Sequence, residues 1–214
     1  MTEEREDWLL RRRTMVETLR RRGIECEKVL EAMEKVRRHR FIPEAYRGVT
    51  AYEDRPLPIG HDQTISQPYV VAYMTEILQL RAGEKTLEIG TGSGYQAAVL
   101  AEMGAKVYTI EIIPELGRHA EAALAAEGYE DVKVRIGDGY QGWPEHAPFD
   151  AVIVTAAPDA VPDALVEQLR DGGRMVVPVG TRQQRLVVLR KENGDVHKEE
   201  DLPVRFVPMV RGEE

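Results

Sequence analysis

The stretch Leu87-Glu88-Ile89-Gly90-Thr91-Gly92-Ser93-Gly94-Tyr95-Gln96 decides the fold. A short apolar strand runs into three glycines at alternate positions, and a helical pattern follows at once. Glycine there turns the backbone sharply and lets a ligand approach with no Cβ in the way. An acid, Glu111, stands at the end of the next strand-like run, Lys106–Ile112. Together these features outline a pocket for a nucleoside-bearing cofactor.

The glycine spacing narrows the choice. A dinucleotide fingerprint reads G-x-G-x-x-G, and counted from Gly90 and Gly92 its third glycine falls on Tyr95. The chain reads E-x-G-x-G-x-G instead, a pattern that resembles the first motif of class I S-adenosylmethionine (AdoMet) methyltransferases. AdoMet carries no pyrophosphate and needs no phosphate cradle at a helix N-terminus. On that resemblance Gly90, Thr91, Gly92 and Gly94 form the cofactor loop. Glu111 accepts hydrogen bonds from the ribose hydroxyls, for which a carboxylate offers two oxygens and no donor to place. Glu88 lies on a strand that must be largely buried, where an unpaired carboxylate is costly; it is expected to bind backbone amides or the cofactor's amino-acid end. Gly137-Asp138-Gly139 follows the third strand of the pattern. Asp138 and Gly139 are expected beside the adenine, with Asp138 accepting from its exocyclic amine. Without a ligand the same residues make an ordinary Asp-Gly turn.

The surrounding sequence is an α/β pattern. Residues 3–22 and 25–37 read as helices separated by Gly23, and Val29, Leu30, Met33 and Val36 share one face at helical spacing. Between 40 and 65, prolines and glycines break every long period, which marks a functional loop. A helix is expected from about 67 to 80, with Pro68 in its first turn. From 84 onward strands and helices alternate: strands at 86–90, 106–112, 132–136, 149–156, 174–179 and 185–190, and helices at 95–103, 114–127 and 161–170, the last ended by Gly172-Gly173. Apolar runs alternating with helices argue for a parallel sheet covered on both faces. The last strands are expected to be antiparallel, because Asn193-Gly194 is a hairpin turn signal. The predicted architecture is one domain: a Rossmann-like sheet over 81–214, with 1–80 as a helical extension and substrate-side loop.

Composition bounds the function. The 214 residues are 43% hydrophobic and 31% charged, with a net charge of −8 and a pI near 5.3, which argues against general affinity for nucleic-acid backbones. The runs Arg11–Arg13 and Arg20–Arg22 read as the solvated face of a helix. A single cysteine, Cys26, leaves no internal disulfide and no thiolate metal site. The histidines, at 39, 61, 119, 146 and 197, lack zinc-ligand spacing. No apolar run approaches a membrane span, and the acidic start Glu3, Glu4, Glu6, Asp7 is unlike a signal peptide. The expected compartment is the cytosol.

A second, more specific resemblance covers most of the chain. Leu57-Pro58-Ile59-Gly60-His61-Asp62-Gln63-Thr64-Ile65-Ser66-Gln67-Pro68-Tyr69 resembles the signature of protein-L-isoaspartate O-methyltransferases. Phe41-Ile42-Pro43, Ala51-Tyr52, Leu87–Gln96, Gly137-Asp138-Gly139, Phe149–Pro158 and Val204-Arg205-Phe206-Val207-Pro208 follow in the family's order. The Thr-Ile-Ser-Gln-Pro block is far more specific than the glycine motif. The chain departs at Asp62, where glycine is common in bacterial members; the change adds a negative charge near the expected mouth.

The family implies transfer of the AdoMet methyl group to the free α-carboxylate of L-isoaspartyl residues in damaged proteins and peptides, leaving S-adenosyl-L-homocysteine. The ester closes to a succinimide that can open to normal aspartate, a protein repair reaction. It also implies a monomer, while the acidic balance and the lack of a long apolar run set aside nucleic acid and membrane as partners. Ser66 becomes the catalytic or substrate-orienting hydroxyl, with Thr64 and Ile65 offering backbone contacts beside it; by position it is equally a helix N-cap. Val204 and Phe206 belong to an extended segment placed along the peptide. A carboxylate is already ionised at neutral pH, so no general base is needed, and the cofactor brings the reactive methyl. The competing readings are an AdoMet enzyme acting on a small molecule or tRNA, a non-catalytic module that kept the fold, and an NAD-dependent oxidoreductase.

Overall fold

A computed structural model describes residues 2–212. The chain forms α1 (Thr2–Arg21), α2 (Glu27–Lys35), the hairpin β1 (Leu57–Gly60) and β2 (Gln63–Ile65), and α3 (Pro68–Ile77). The core then alternates β3 (Lys85–Ile89), α4 (Tyr95–Glu102), β4 (Lys106–Glu111), α5 (Pro114–Ala126), β5 (Lys133–Ile136), β6 (Phe149–Val154), α6 (Asp163–Glu167), β7 (Leu169–Val179), β8 (Gln184–Glu192) and β9 (Asp195–Val204). The sheet order is β5-β4-β3-β6-β7-β8-β9. Strands β5 through β7 pair in parallel, and β8 and β9 are added antiparallel. The chain leaves β3 toward β4 on one side and returns to β6 on the other, so a crevice opens beyond the carboxyl ends of β3, β4 and β6.

The central strands hold this crevice rigid. Leu87 and Ile89 of β3 and Val152, Ile153 and Val154 of β6 are buried, as expected for strands covered on both faces. At the opposite end of the sheet Arg174 pairs with Glu84 at 2.5 Å while Arg170 reaches Asp150 at 2.5 Å. The helical extension docks on this core rather than standing off it. Leu19, Met33 and Phe41 share one buried cluster with Val71, Tyr95 and Ile153. Arg37 and Arg40 both reach the buried carboxylate of Glu127 at the end of α5, at 2.6 and 2.9 Å. The arginine runs at 11–13 and 20–22 bond within the extension: Arg11 pairs with Asp7, Arg13 with Glu34, Arg20 with Glu27 and Arg22 with Asp54, and Arg12 donates to the Lys35 carbonyl.

Two segments differ from the sequence expectation. The helix expected over 161–170 is confined to Asp163–Glu167, and Gly172-Gly173 does not stop it but lies inside β7. Pro162 holds the N-cap position and the pairing with β6 slips between Phe149 and Ala151. Gly172, at φ +76°, and Gly173, whose Cβ would lie 2.8 Å from the Arg170 carbonyl, therefore form a bulge. Lys191 donates to the Val166 and Leu169 carbonyls and satisfies the short helix's end. The stretch 40–65, read as loop, contains three 3-10 turns and the β1–β2 hairpin. Its tip is His61-Asp62, both left-handed at φ 51° and 56°, a type I′ geometry that glycine adopts most easily and aspartate tolerates.

Candidate active site

The glycine loop divides its labour. Gly90 N donates to the Ile110 carbonyl at 2.8 Å, and Thr155 Oγ1 donates to the carbonyls of Ile89 and Gly90. A Cβ on Gly90, at φ +93°, would lie 2.5 Å from Thr155 Oγ1. One on Gly94, the N-cap of α4, would press Leu124 at 3.2 Å, and one on Gly139 would lie 2.4 Å from Ile89 Cγ2. These three glycines serve close packing. At Gly92, φ +52°, the only non-adjacent atom among the described residues within 4 Å of an added Cβ is Ile59 Cδ1 at 3.5 Å, so the missing side chain leaves room for a ligand.

Two buried carboxylates flank the loop. Glu111 accepts from Gly92 N at 2.7 Å and Ile113 N at 3.0 Å, one bond per oxygen, which leaves lone pairs free for ribose hydroxyls. Glu88 Oε2 accepts from Thr109 Oγ1 at 2.6 Å, and that hydroxyl lies 2.7 Å from Thr91 Oγ1. Glu88 Oε1 has no partner among the described residues. Burial, opposed by the Thr109 hydrogen bond and reinforced by Glu111, raises the Glu88 carboxyl to about 8. An orphaned, fully buried oxygen in a cavity wall calls for a ligand donor. A cationic group is a donor of the kind that oxygen lacks, and the missing side chain at Gly92 leaves space in the same cleft.

The cleft so framed holds about 850 Å³ of space, its open mouth included. Glu88, Gly90, Thr91, Gly92, Glu111 and Gly139 line it, and Thr64, Ile65 and Ser66 stand on another wall. Gln67, not Ser66, is the N-cap of α3. The cap comes from afar, as Asp54 Oδ1 accepts from Tyr69 N at 2.8 Å while its other oxygen pairs with Arg22. Four expected residues lie outside the lining. Gly94 packs behind the loop. Asp138 turns inward to accept from Tyr140 N at 2.8 Å and faces an adjoining depression shared with Arg211. Val204 ends β9, and Phe206 is clamped by Gln184, which accepts from its N–H and donates to its carbonyl. The tail Val207–Val210 completes the wall instead, pinned where Ala157 N donates to the Val207 carbonyl and Met209 N to the Ala157 carbonyl, both at 2.8 Å. Sequence reading missed Thr109, Thr155, Asp54 and this tail. Of these Thr155 and the tail had a signal, Thr155 lying within the Phe149–Pro158 block and the tail beginning inside the Val204–Pro208 block.

Comparison with known proteins adds the family. The profile of protein-L-isoaspartate(D-aspartate) O-methyltransferase matches residues 10–214. The chain belongs to that family. A protein-L-isoaspartate O-methyltransferase of Gloeobacter violaceus is 60% identical over 197 residues, 91% of this chain and 96% of that protein. One of Picosynechococcus is 52% identical over 200 residues, 94% and 90% of the two chains. Among solved structures, a protein-L-isoaspartate O-methyltransferase superposes with a TM-score of 0.86 at 30% identity, covering 92% of this chain and 65% of the other. A putative family member from Plasmodium falciparum, in complex with S-adenosyl-L-homocysteine, gives 0.84 at 27% identity over 94% and 99% of the two chains. The protein is thus an AdoMet-dependent O-methyltransferase of L-isoaspartyl residues. No described helix is long and apolar enough to cross a membrane.

Proposed function

We propose that the cleft divides into a cofactor half, lined by Glu88, Gly90, Thr91, Gly92, Glu111 and Gly139 with Gly94 and Asp138 behind or beside it, and a substrate half, lined by Thr64, Ile65 and Ser66 with Val204 and Phe206 outside the lining. The observation that carries this division is the orphaned Glu88 oxygen beside the open cradle of Gly92, facing Thr64–Ser66 across one cavity. Glu88 holds the cationic amino-acid end, and Glu111 the ribose. Asp138 and Gly139 serve the adenine end, with Asp138 reached through the adjoining depression. AdoMet supplies an electrophilic methyl on a positively charged sulfonium. The protein's own residues supply position. Ser66 Oγ donates to the substrate's α-carboxylate, the Thr64 and Ile65 backbone lies beside it, and the reacting atoms are held at roughly 3–3.5 Å. Gly94 shapes the loop from behind. Val204 and Phe206 flank the peptide from outside the cleft lining, through their side chains, because Gln184 already holds both backbone groups of Phe206.

The whole chain acts as one methyltransferase domain, as a cytosolic monomer without affinity for nucleic acid or membrane. The net charge of −8 and the carboxylate partners of Arg11, Arg13, Arg20 and Arg22 support this reading.

The test is an isoaspartyl peptide and its aspartyl twin, assayed with the wild-type chain and Ser66→Ala. The wild type should methylate only the first. The variant should lose about 1.5–3 kcal/mol of transition-state stabilisation, roughly 10- to 100-fold in kcat/KM, as for a hydrogen bond to a charged group. Its affinity for S-adenosyl-L-homocysteine should not change. An unimpaired variant would remove Ser66 from the substrate half.

A further inference from the structure

The β1–β2 hairpin ends in a charge without a counterion among the described residues. Its tip, His61-Asp62, is exposed, and the ion pairs of those residues engage Asp7, Asp54 and Asp150 but not Asp62. The next residue, Gln63, already lines the cleft, followed by Thr64, Ile65 and Ser66. We propose that Asp62 is a specificity-determining residue, which selects isoaspartyl peptides with a cationic side chain beside the isoaspartate over those with an acidic one. The inference rests on the reading of Thr64–Ser66 as the substrate half.

The hairpin holds this charge in place. Leu57 and Ile65, paired across the two strands, are buried. Ile59 is buried too, and its Cδ1 lies 3.5 Å from where a Gly92 Cβ would stand, so β1 is seated against the glycine loop. At the turn Gln63 Nε2 donates to the His61 carbonyl at 3.2 Å, which ties the tip to a lining residue. Both tip residues are left-handed, the compact form of a two-residue hairpin turn. Consecutive Cα atoms are ~3.8 Å apart, so the Asp62 carboxylate lies on the order of 8 Å from a group that touches Gln63.

The other charges near the lining are engaged or stand elsewhere. Glu88 and Glu111 belong to the cofactor half. Glu115, just beyond Ile113, pairs with Arg118. Asp138 accepts from Tyr140 N, and Arg211 lies over the Tyr140 ring at 4.0 Å, both in the adjoining depression. Asp54, at the start of α3, is held by Arg22 and Tyr69 N. Arg205, on the approach to the Val207–Val210 tail, carries the opposite sign. Asp62 is left as the unpaired acid beside the substrate half.

Two unit charges ~8 Å apart in water alter a binding constant about twofold. A lysine beside the isoaspartate gains that factor and a glutamate loses it, a difference of about fivefold. The effect acts on encounter and binding and fades as salt shortens the screening length. Asp62 repels the α-carboxylate of every substrate equally, so the ratio between peptides isolates its role.

The experiment measures kcat and KM at low ionic strength for three isoaspartyl peptides that differ only in carrying lysine, serine or glutamate on both sides of the isoaspartate. In the wild type KM should rise at least about fivefold from the lysine to the glutamate peptide with kcat unchanged, and the spread should shrink in high salt. Asp62→Asn, whose side chain tolerates the left-handed turn, should compress the spread. Glu115→Gln, the same change of net charge at the cofactor half, should not. No spread in the wild type, a spread that survives Asp62→Asn, or equal compression in both variants would overturn the inference. Ser66→Ala is run on the serine peptide, so that failure of the substrate-half reading registers apart from failure of the charge preference. Methylation of none of the three peptides would overturn the activity reading and the inference together.

Discussion

At the scale of residues, Glu88 carries the most chemistry. Its position on a buried strand is legible in the sequence, but the sequence leaves backbone amides and the cofactor's amino-acid end as equal partners. The structure pairs one oxygen with Thr109 and leaves the other buried without a partner among the described residues. Thr109 was unreadable because cross-strand register, which sets it opposite Glu88, follows from the sheet and not from spacing along the chain. The raised carboxyl gives a signed prediction. Its folded value, about 8, lies above the ordinary glutamate value of 4.5, so between these values the folded state holds a proton that the unfolded chain has lost. The ligand-free protein should be most stable below that window and should lose on the order of a few kcal/mol as pH rises through it. Glu88→Gln, which cannot ionise, should flatten the decline. Thermal melts across the window measure this; parallel decline in both proteins would show that Glu88 is charged throughout.

At the scale of elements, helix α3 sets the substrate wall. Its start at Pro68 is legible because proline fits a first helical turn. Its cap is not, because Asp54 lies fourteen residues upstream of the helix and is delivered by the Arg22 pair at the end of α1. Ser66 looks like a cap by position, yet Gln67 occupies that place, and the hydroxyl is left for another partner. Asp54→Ala should cost about 1 kcal/mol of stability, the usual loss of a capping side chain. It should raise KM for an isoaspartyl peptide while leaving S-adenosyl-L-homocysteine affinity unchanged, and Asp54→Asn should restore most of both. Equal losses in peptide and cofactor binding would mean that the cap supports the fold generally and not the substrate wall. The short α6 and the bulged start of β7 were misread for a related reason. Gly172-Gly173 stops a helix and permits a bulge equally well, and only pairing with β6 decides between them.

At the scale of the molecule, the alternation of apolar strands and helices made the Rossmann-like core legible. The glycine motif placed the cofactor loop, and the Asn193-Gly194 signal gave the antiparallel end of the sheet. The docking of the extension was less legible, because it rests on contacts such as Arg37 and Arg40 with Glu127, far apart in sequence. So was the closing wall at Val207–Val210, held by backbone bonds to Ala157. What unites these parts is one cleft at a sheet's topological switch point, with a glycine bend on one side and a serine on another. The most direct measurement is calorimetric titration of S-adenosyl-L-homocysteine into Gly92→Val, with circular dichroism confirming the fold. The branched side chain would occupy the space that Gly92 leaves open, so binding should be lost while the helix and sheet signals persist. Wild-type affinity in that variant would contradict the account.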